Sequence, residues 1–113
     1  MLWRCSMRLS KNELAALEVF QRELRTKFGL IDMRLFGSKA RGDATEDSDV
    51  DVMVELEQFT PAIESGIDDL IFSLNLAYDT FISATIFSRD ELQNGPLSES
   101  PLYKAVEREG VRL

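Results

Sequence analysis

Phe36-Gly37-Ser38-Lys39-Ala40-Arg41-Gly42-Asp43-Ala44-Thr45-Glu46-Asp47-Ser48-Asp49-Val50-Asp51-Val52 is the stretch on which the reading of this chain turns. It begins where a short apolar run, Ile31 to Phe36, stops at a glycine. It ends where strict alternation begins: Val50, Val52, Val54 and Leu56 on one side, Asp49, Asp51, Met53 and Glu55 on the other. That period of two makes residues 50–56 the clearest strand in the sequence. Between the two strands, residues 37–48 are read as a Gly/Ser/Asp/Thr loop holding about one helical turn.

Outward from this core the elements follow in order. Ser10 is an N-cap and Glu13, three residues on, completes a capping box. Leu14, Leu17, Leu24 and Phe28, with Val19 and Phe20 beside them, then recur at helical spacing, and Gly29 supplies the stop. Thr60-Pro61 opens a second helix, with proline in its first turn, carried by Ile63, Ile67, Leu70, Ile71, Leu74 and Tyr78. Thr80 to Phe87 is a third strand, rich in β-branched and aromatic residues. Asn94-Gly95-Pro96 is a loop, and Ser100-Pro101 starts a short last helix with Leu102 and Val106, closed by Gly110. The predicted class is α+β (α/β-like): a small mixed β-sheet with helices packed on it, in the order α-β-(turn)-β-α-β-α. The helical connection between the last two strands predicts parallel neighbours joined by a right-handed crossover. The first two, joined by a short link, can pair antiparallel. The whole of residues 1–113 is expected to form one domain, with residues 1–7 disordered and Met7 open as an alternative start.

Charge and composition bound the chemistry. The 113 residues carry thirteen Lys+Arg and twenty Asp+Glu, a formal charge of −7, with one cysteine and no histidine. A single Cys5 forms no internal disulfide and no cysteine-rich zinc site. Without histidine there is no imidazole base and no Ser-His triad, so acid–base or metal chemistry falls to carboxylates. The charge is uneven: residues 1–41 sum to +5, residues 42–88 contain eleven acids and no Lys or Arg, and residues 89–113 sum to −1. Such an acidic block is either a solvated face or a place where cations bind. It would also repel a phosphate backbone, so nucleic acid is not the expected partner. No signal peptide or membrane span is seen and the lone thiol suits a reducing interior, so a cytoplasmic location is expected.

Two features of the quoted stretch carry function. Asp49 and Asp51, at i and i+2 on a strand, place their Cα atoms about 6–7 Å apart on one face. They can converge on one cation or bridge two, and hard oxygen ligands of this kind suit Mg²⁺ or Mn²⁺ with phosphate completing the shell. A half-exposed strand with a merely solvated face reads the same way. Gly37-Ser38, straight after a strand, offers backbone N–H groups and a hydroxyl to a phosphate, with Lys39 and Arg41 adding positive charge. Taken alone, an ordinary turn explains it equally.

The two together, Gly37-Ser38-x-Ala40-Arg41-Gly42, five residues, then Ser48-Asp49-x-Asp51, resemble the signature of the minimal nucleotidyltransferases of the DNA polymerase beta superfamily. The element order and the Glu107-Arg108-Glu109-Gly110-Val111 tail fit the same family. The resemblance implies transfer of a nucleoside monophosphate from an NTP, ATP first among them, to a hydroxyl with release of pyrophosphate. It implies Asp49 and Asp51 as catalytic metal ligands for Mg²⁺ or Mn²⁺. It makes Gly37, Ser38, Lys39 and Arg41 the phosphate-binding set, with Arg41 also open to a bracing role. It further implies a protein partner of the HEPN type in a toxin–antitoxin pair, and leaves a homo-oligomer open. Active members usually carry a third carboxylate on the strand after the crossover helix. Here Thr85 stands at that position and the strand holds no acid, so a base from elsewhere (Glu55, Asp79, substrate or water) and a nucleotide-binding regulator with impaired turnover are both consistent with the sequence.

Overall fold

The computed structural model describes residues 9–42, 49–94 and 99–113. Helix α1 (Lys11–Lys27) starts on the capping box: the Ser10 hydroxyl accepts from the Glu13 N–H, and the Ser10 N–H donates to Glu13 Oε1 at 2.9 Å. Its buried stripe is Ala16, Leu17, Phe20 and Leu24. Phe20 therefore sits at the centre of the packed face, and Leu14 is only half-buried. Strand β1 (Leu30–Phe36) runs into a five-residue helix α2 (Gly37–Arg41), the helical turn expected in the loop. Strand β2 (Val50–Leu56) has the predicted bounds. Helix α3 (Pro61–Tyr78) is capped by the Thr60 hydroxyl and ends on Asp79, whose left-handed φ of 56° turns the chain back.

Strand β3 is Ile82–Ser88, two residues later in starting than the sequence suggested. The Asn75 side chain explains the delay. Its carbonyl oxygen accepts from the Thr80 hydroxyl and the Ile82 N–H, and its amide donates to the Ile82 carbonyl, so Thr80 and Phe81 form the turn instead of the strand. Helix α4 (Arg89–Asn94) and strand β4 (Val111–Arg112) were not anticipated, whereas α5 (Pro101–Glu109) was. The loop expected at residues 94–96 lies, beyond Asn94, outside the described residues, as do residues 1–7 and Cys5.

The sheet order is β3-β2-β1-β4. β1 and β2 are antiparallel, β2 and β3 parallel, and β4 adds antiparallel to the other side of β1. One sheet face, with Val50, Val52, Val54, Leu56, Leu35, Met33 and Ile82, packs against α1 and α3 in the main core. The opposite face is covered over only part of its length. There Met53, Phe87, Leu92 and Val106 form a second, smaller core with Phe36 and Tyr103, and the Phe87 and Tyr103 rings meet edge to face at 6.5 Å. An ion pair ties α5 to β1, Arg34 to Glu107 at 3.0 Å; Arg34 also pairs with Asp32 of its own strand at 2.9 Å, and Arg112 of β4 takes the other oxygen of Asp32. Hydrogen bonds from Tyr103 and then Arg34 hold the Glu107 carboxyl below its ordinary range. Among the described residues no helix is long and apolar enough to cross a membrane.

Candidate active site

Among the described residues the small second core leaves the far half of its sheet face open, and Asp49, Asp51 and Gly37 of the signature lie there. Asp51 pairs with Phe36 on β1 and with Ser83 on β3. Asp49 precedes β2 by one residue, is exposed, and by alternation shares the Asp51 face, since Val50 between them is wholly buried in the main core. Ser83 is also exposed, and so is Phe81, whose carbonyl accepts from the Val50 N–H at 2.9 Å, which places it across from Asp49. This half of the face carries polar and charged groups where the other half carries Met53 and Phe87.

Gly37 meets Asp51 directly. Its φ of +75° is one that side-chain-bearing residues rarely adopt, and a Cβ built on it would lie 2.6 Å from Asp51 Oδ2. The β1–α2 turn is thus held against the Asp51 carboxylate at a distance only a glycine permits. Backbone N–H donors and a metal-type carboxylate are thereby brought together, although the two lie fourteen residues apart in sequence.

Lys39 goes elsewhere. It is 4% exposed, and its ammonium pairs with Glu13 of α1, at 3.0 Å to Oε2 and 3.2 Å to Oε1. For Lys39 to bind phosphate, the role the resemblance gives it, this buried pair with Glu13 would have to break. Ser48 lies outside the described residues, as do the side chains of Ser38 and Arg41; the backbone of Ser38 and Arg41 lies within α2.

The acids considered as a third carboxylate separate by register. Thr85 is paired with Met53, one same-face position beyond the Asp51–Ser83 pair, and no residue of β3 is acidic. Glu55 pairs with Phe87, four residues from Asp51 along β2, which is about 13 Å of strand. Asp90, on α4, follows the other end of β3. Asp79, between α3 and β3, lies at the same end of the sheet as Asp49. Among the described residues no group of three or more His, Cys, Asp or Glu is placed to hold a metal ion. Two carboxylates on an open face nonetheless fit a hard dication that takes its remaining ligands from water and from the phosphates of a bound substrate.

Against this geometry stand the relatives. A family model described as a nucleotidyltransferase domain matches residues 17–98. The chain belongs to the nucleotidyltransferase domain family. It is 34% identical over 95 residues to "Protein adenylyltransferase MntA" of Thermococcus cleftensis, covering 84% of this chain and 86% of that protein. It is 37% identical over 102 residues to a Methanocaldococcus jannaschii protein provisionally assigned as a protein adenylyltransferase, covering 88% and 95%. Among solved structures, a provisionally assigned minimal nucleotidyltransferase aligns with TM-score 0.54 at 27% identity over 88% of this chain and 87% of that one. A mutant toxin–antitoxin MntA-HpeT complex aligns with TM-score 0.57 at 18% identity, over 92% and 72%, a likeness of fold alone. The chain is a nucleotidyltransferase, a transferase enzyme by family, and its mixed four-stranded sheet with helices shares the fold of its structural neighbours.

Proposed function

We propose that this nucleotidyltransferase binds an NTP, ATP, with Mg²⁺ or Mn²⁺ and transfers AMP to a hydroxyl on a partner protein, as the antitoxin-type member of a HEPN/MNT pair. The observation that carries the site is the contact of the Gly37 turn with the Asp51 carboxylate on the open half of the sheet face. The acceptor class and the pairing draw on the relatives: one is named a protein adenylyltransferase, and the fold is shared with a toxin–antitoxin complex.

In the transfer, the acceptor oxygen forms a bond to the α-phosphorus, the bond from that phosphorus to the bridging oxygen breaks, and pyrophosphate leaves. Asp49 and Asp51 would hold the divalent cation. Bound there, the ion would neutralise charge developing on the phosphates. The α2 backbone at Gly37 and Ser38 would donate N–H groups to the departing end, with Arg41 beside it. The acceptor proton passes to water or to Asp79, an acid at the same end of the sheet that is assigned no metal. Thr85 is too weak a base for that step, which points to slow turnover.

A partner also has a surface to meet. Phe72 and Leu76, one turn apart on α3, are 69% and 75% exposed. Asp68, Asp69 and Asp79 surround them without a Lys or Arg between residues 42 and 88. A second copy would bring the same acids together, so the face suits a different protein with an apolar patch rimmed by basic residues.

The test is direct. Mg²⁺ with ATP should raise the melting temperature of the purified chain, and labelled ATP should tag a co-expressed HEPN-type partner protein. Asp49→Ala with Asp51→Ala should abolish both effects. Tagging that survives the double substitution would remove the acids from the mechanism.

A further inference from the structure

We infer that the buried Glu13–Lys39 ion pair is a positioning device for the phosphate-binding turn, so that Lys39 acts on nucleotide through α2 and not by touching phosphate. This rests on the nucleotide-site reading above and adds a residue outside the signature, Glu13, to the machinery.

Three observations lead here. First, α2 is five residues long, too short to hold its orientation by its own hydrogen bonds, and it is pinned at two points. Gly37 abuts Asp51 on the open face, and Lys39 reaches to α1 on the main-core side. Second, both partners are nearly sealed from water, at 9% and 4% exposure, so neither charge is tolerated without the other. Third, the Glu13 carboxylate does double duty: the oxygen that accepts from the Ser10 N–H is also within hydrogen-bond reach of Lys39. The N-terminus of α1, itself fixed in the main core through Ala16, Leu17 and Phe20, becomes the anchor from which α2 is aimed.

A strut and a ligand make opposite predictions for the same substitution. Glu13→Gln keeps the side-chain oxygen that caps α1 and removes the charge that engages Lys39. If Lys39 were a phosphate ligand held back by Glu13, this change would free it, remove a nearby negative charge and tighten ATP binding. If the pair positions α2, the lysine is left buried and uncompensated, the turn shifts, and binding weakens by about tenfold or more, as misplacement of binding groups by about an ångström commonly does.

The experiment is isothermal titration of the full chain with Mg–ATP and, separately, with Mg–tripolyphosphate, for the wild type, E13Q, K39M, E13Q/K39M and K39R. A melt of each free protein accompanies the titrations. The expected result is that E13Q and K39M each raise Kd about tenfold for both ligands. Their losses should not add in the double variant, because each alone breaks the same contact, and K39R should stay close to wild type. Should E13Q fail to fold, E13D supplies the comparison by keeping the charge and shortening its reach, with the same weakening expected. Tighter or unchanged binding in E13Q or E13D overturns the inference, as does an additive loss in the double variant. A wild type that binds neither ligand removes the nucleotide-site reading itself, and the inference with it.

Discussion

Replacing Gly37 with alanine imposes two separable costs. One is conformational: at φ +75° an alanine sits in left-handed space at about 1–2 kcal/mol. The other is a collision, because the new Cβ arrives 2.6 Å from Asp51 Oδ2 and 3.4 Å from Asp51 Cγ, so the carboxylate must leave its rotamer at about 0.5–1.5 kcal/mol. Gly29 is the internal control. Its φ is +70°, but a Cβ there meets nothing nearer than Glu57 at 3.8 Å, an ordinary contact. Gly29→Ala should therefore show the backbone cost alone, a fall in Tm of about 5 °C per kcal/mol for a domain of this size. Gly37→Ala should fall further by roughly half as much again, and in addition should lose Mg–ATP binding, which Gly29→Ala should keep. The second comparison is a double-mutant cycle in which Asp51→Ala is combined with Gly37→Ala. Removing the carboxylate should relieve the collision, so the double variant should be more stable than the sum of the singles by about 1 kcal/mol. The assay is urea unfolding followed by circular dichroism, with titration of Mg–ATP on each folded variant. If Gly37→Ala costs no more than Gly29→Ala, or if the cycle shows no coupling, the close approach of the turn to Asp51 is not the feature that demands glycine.

Other expectations follow from the same geometry. Thr85→Asp places an acid on the face shared with Asp51 and should raise Mn²⁺-dependent transfer of label from ATP; an unchanged rate would dissociate turnover from this position. Phe72→Glu with Leu76→Glu should abolish co-purification with the proposed HEPN-type partner while leaving Mg–ATP binding intact; persistence of the complex would move the interface off α3. Acid stability should carry the signature of Glu107. Its carboxyl is held below its ordinary range in the folded chain by Tyr103 and Arg34, so its contribution is fully present above the unfolded value of about 4.3 and is lost as pH falls through the lower folded value. Glu107→Gln should flatten the urea midpoint between pH 5 and 3 relative to wild type, most clearly at low salt (the pair is half exposed).

Much of the scaffold was legible because local rules and tertiary demands agreed. The Ser10–Glu13 box, the alternation from Val50 to Leu56 and the Thr60-Pro61 entry each say the same thing at both levels. The elements that escaped did so for different reasons. α4 had a signal that was overlooked: Ser88 and Glu91 form a reciprocal capping box, the Ser88 N–H donating to Glu91 at 3.0 Å and the Glu91 N–H to the Ser88 hydroxyl at 3.1 Å. β4, two residues long, has no periodicity to read and exists because β1 offers it a free edge. At the candidate site, Asp49, Asp51 and Gly37 stand out in the sequence because strand alternation and turn chemistry are local. The pairing of Lys39 could not be read there, since its partner Glu13 lies 26 residues earlier and no local pattern links them. Nor could the sequence say that one sheet face is half covered, which depends on where α5 lands.

That half-covered face has a consequence for how the protein meets its substrates. β2 is one strand in from β3, and β3 is an outer strand of the described sheet. Among the described residues the acids therefore sit near a rim, with Phe81 and Ser83 between them and the edge. Little among the described residues stands around these acids to enclose a ligand, so this face is suited to being pressed against something larger, like a stamp.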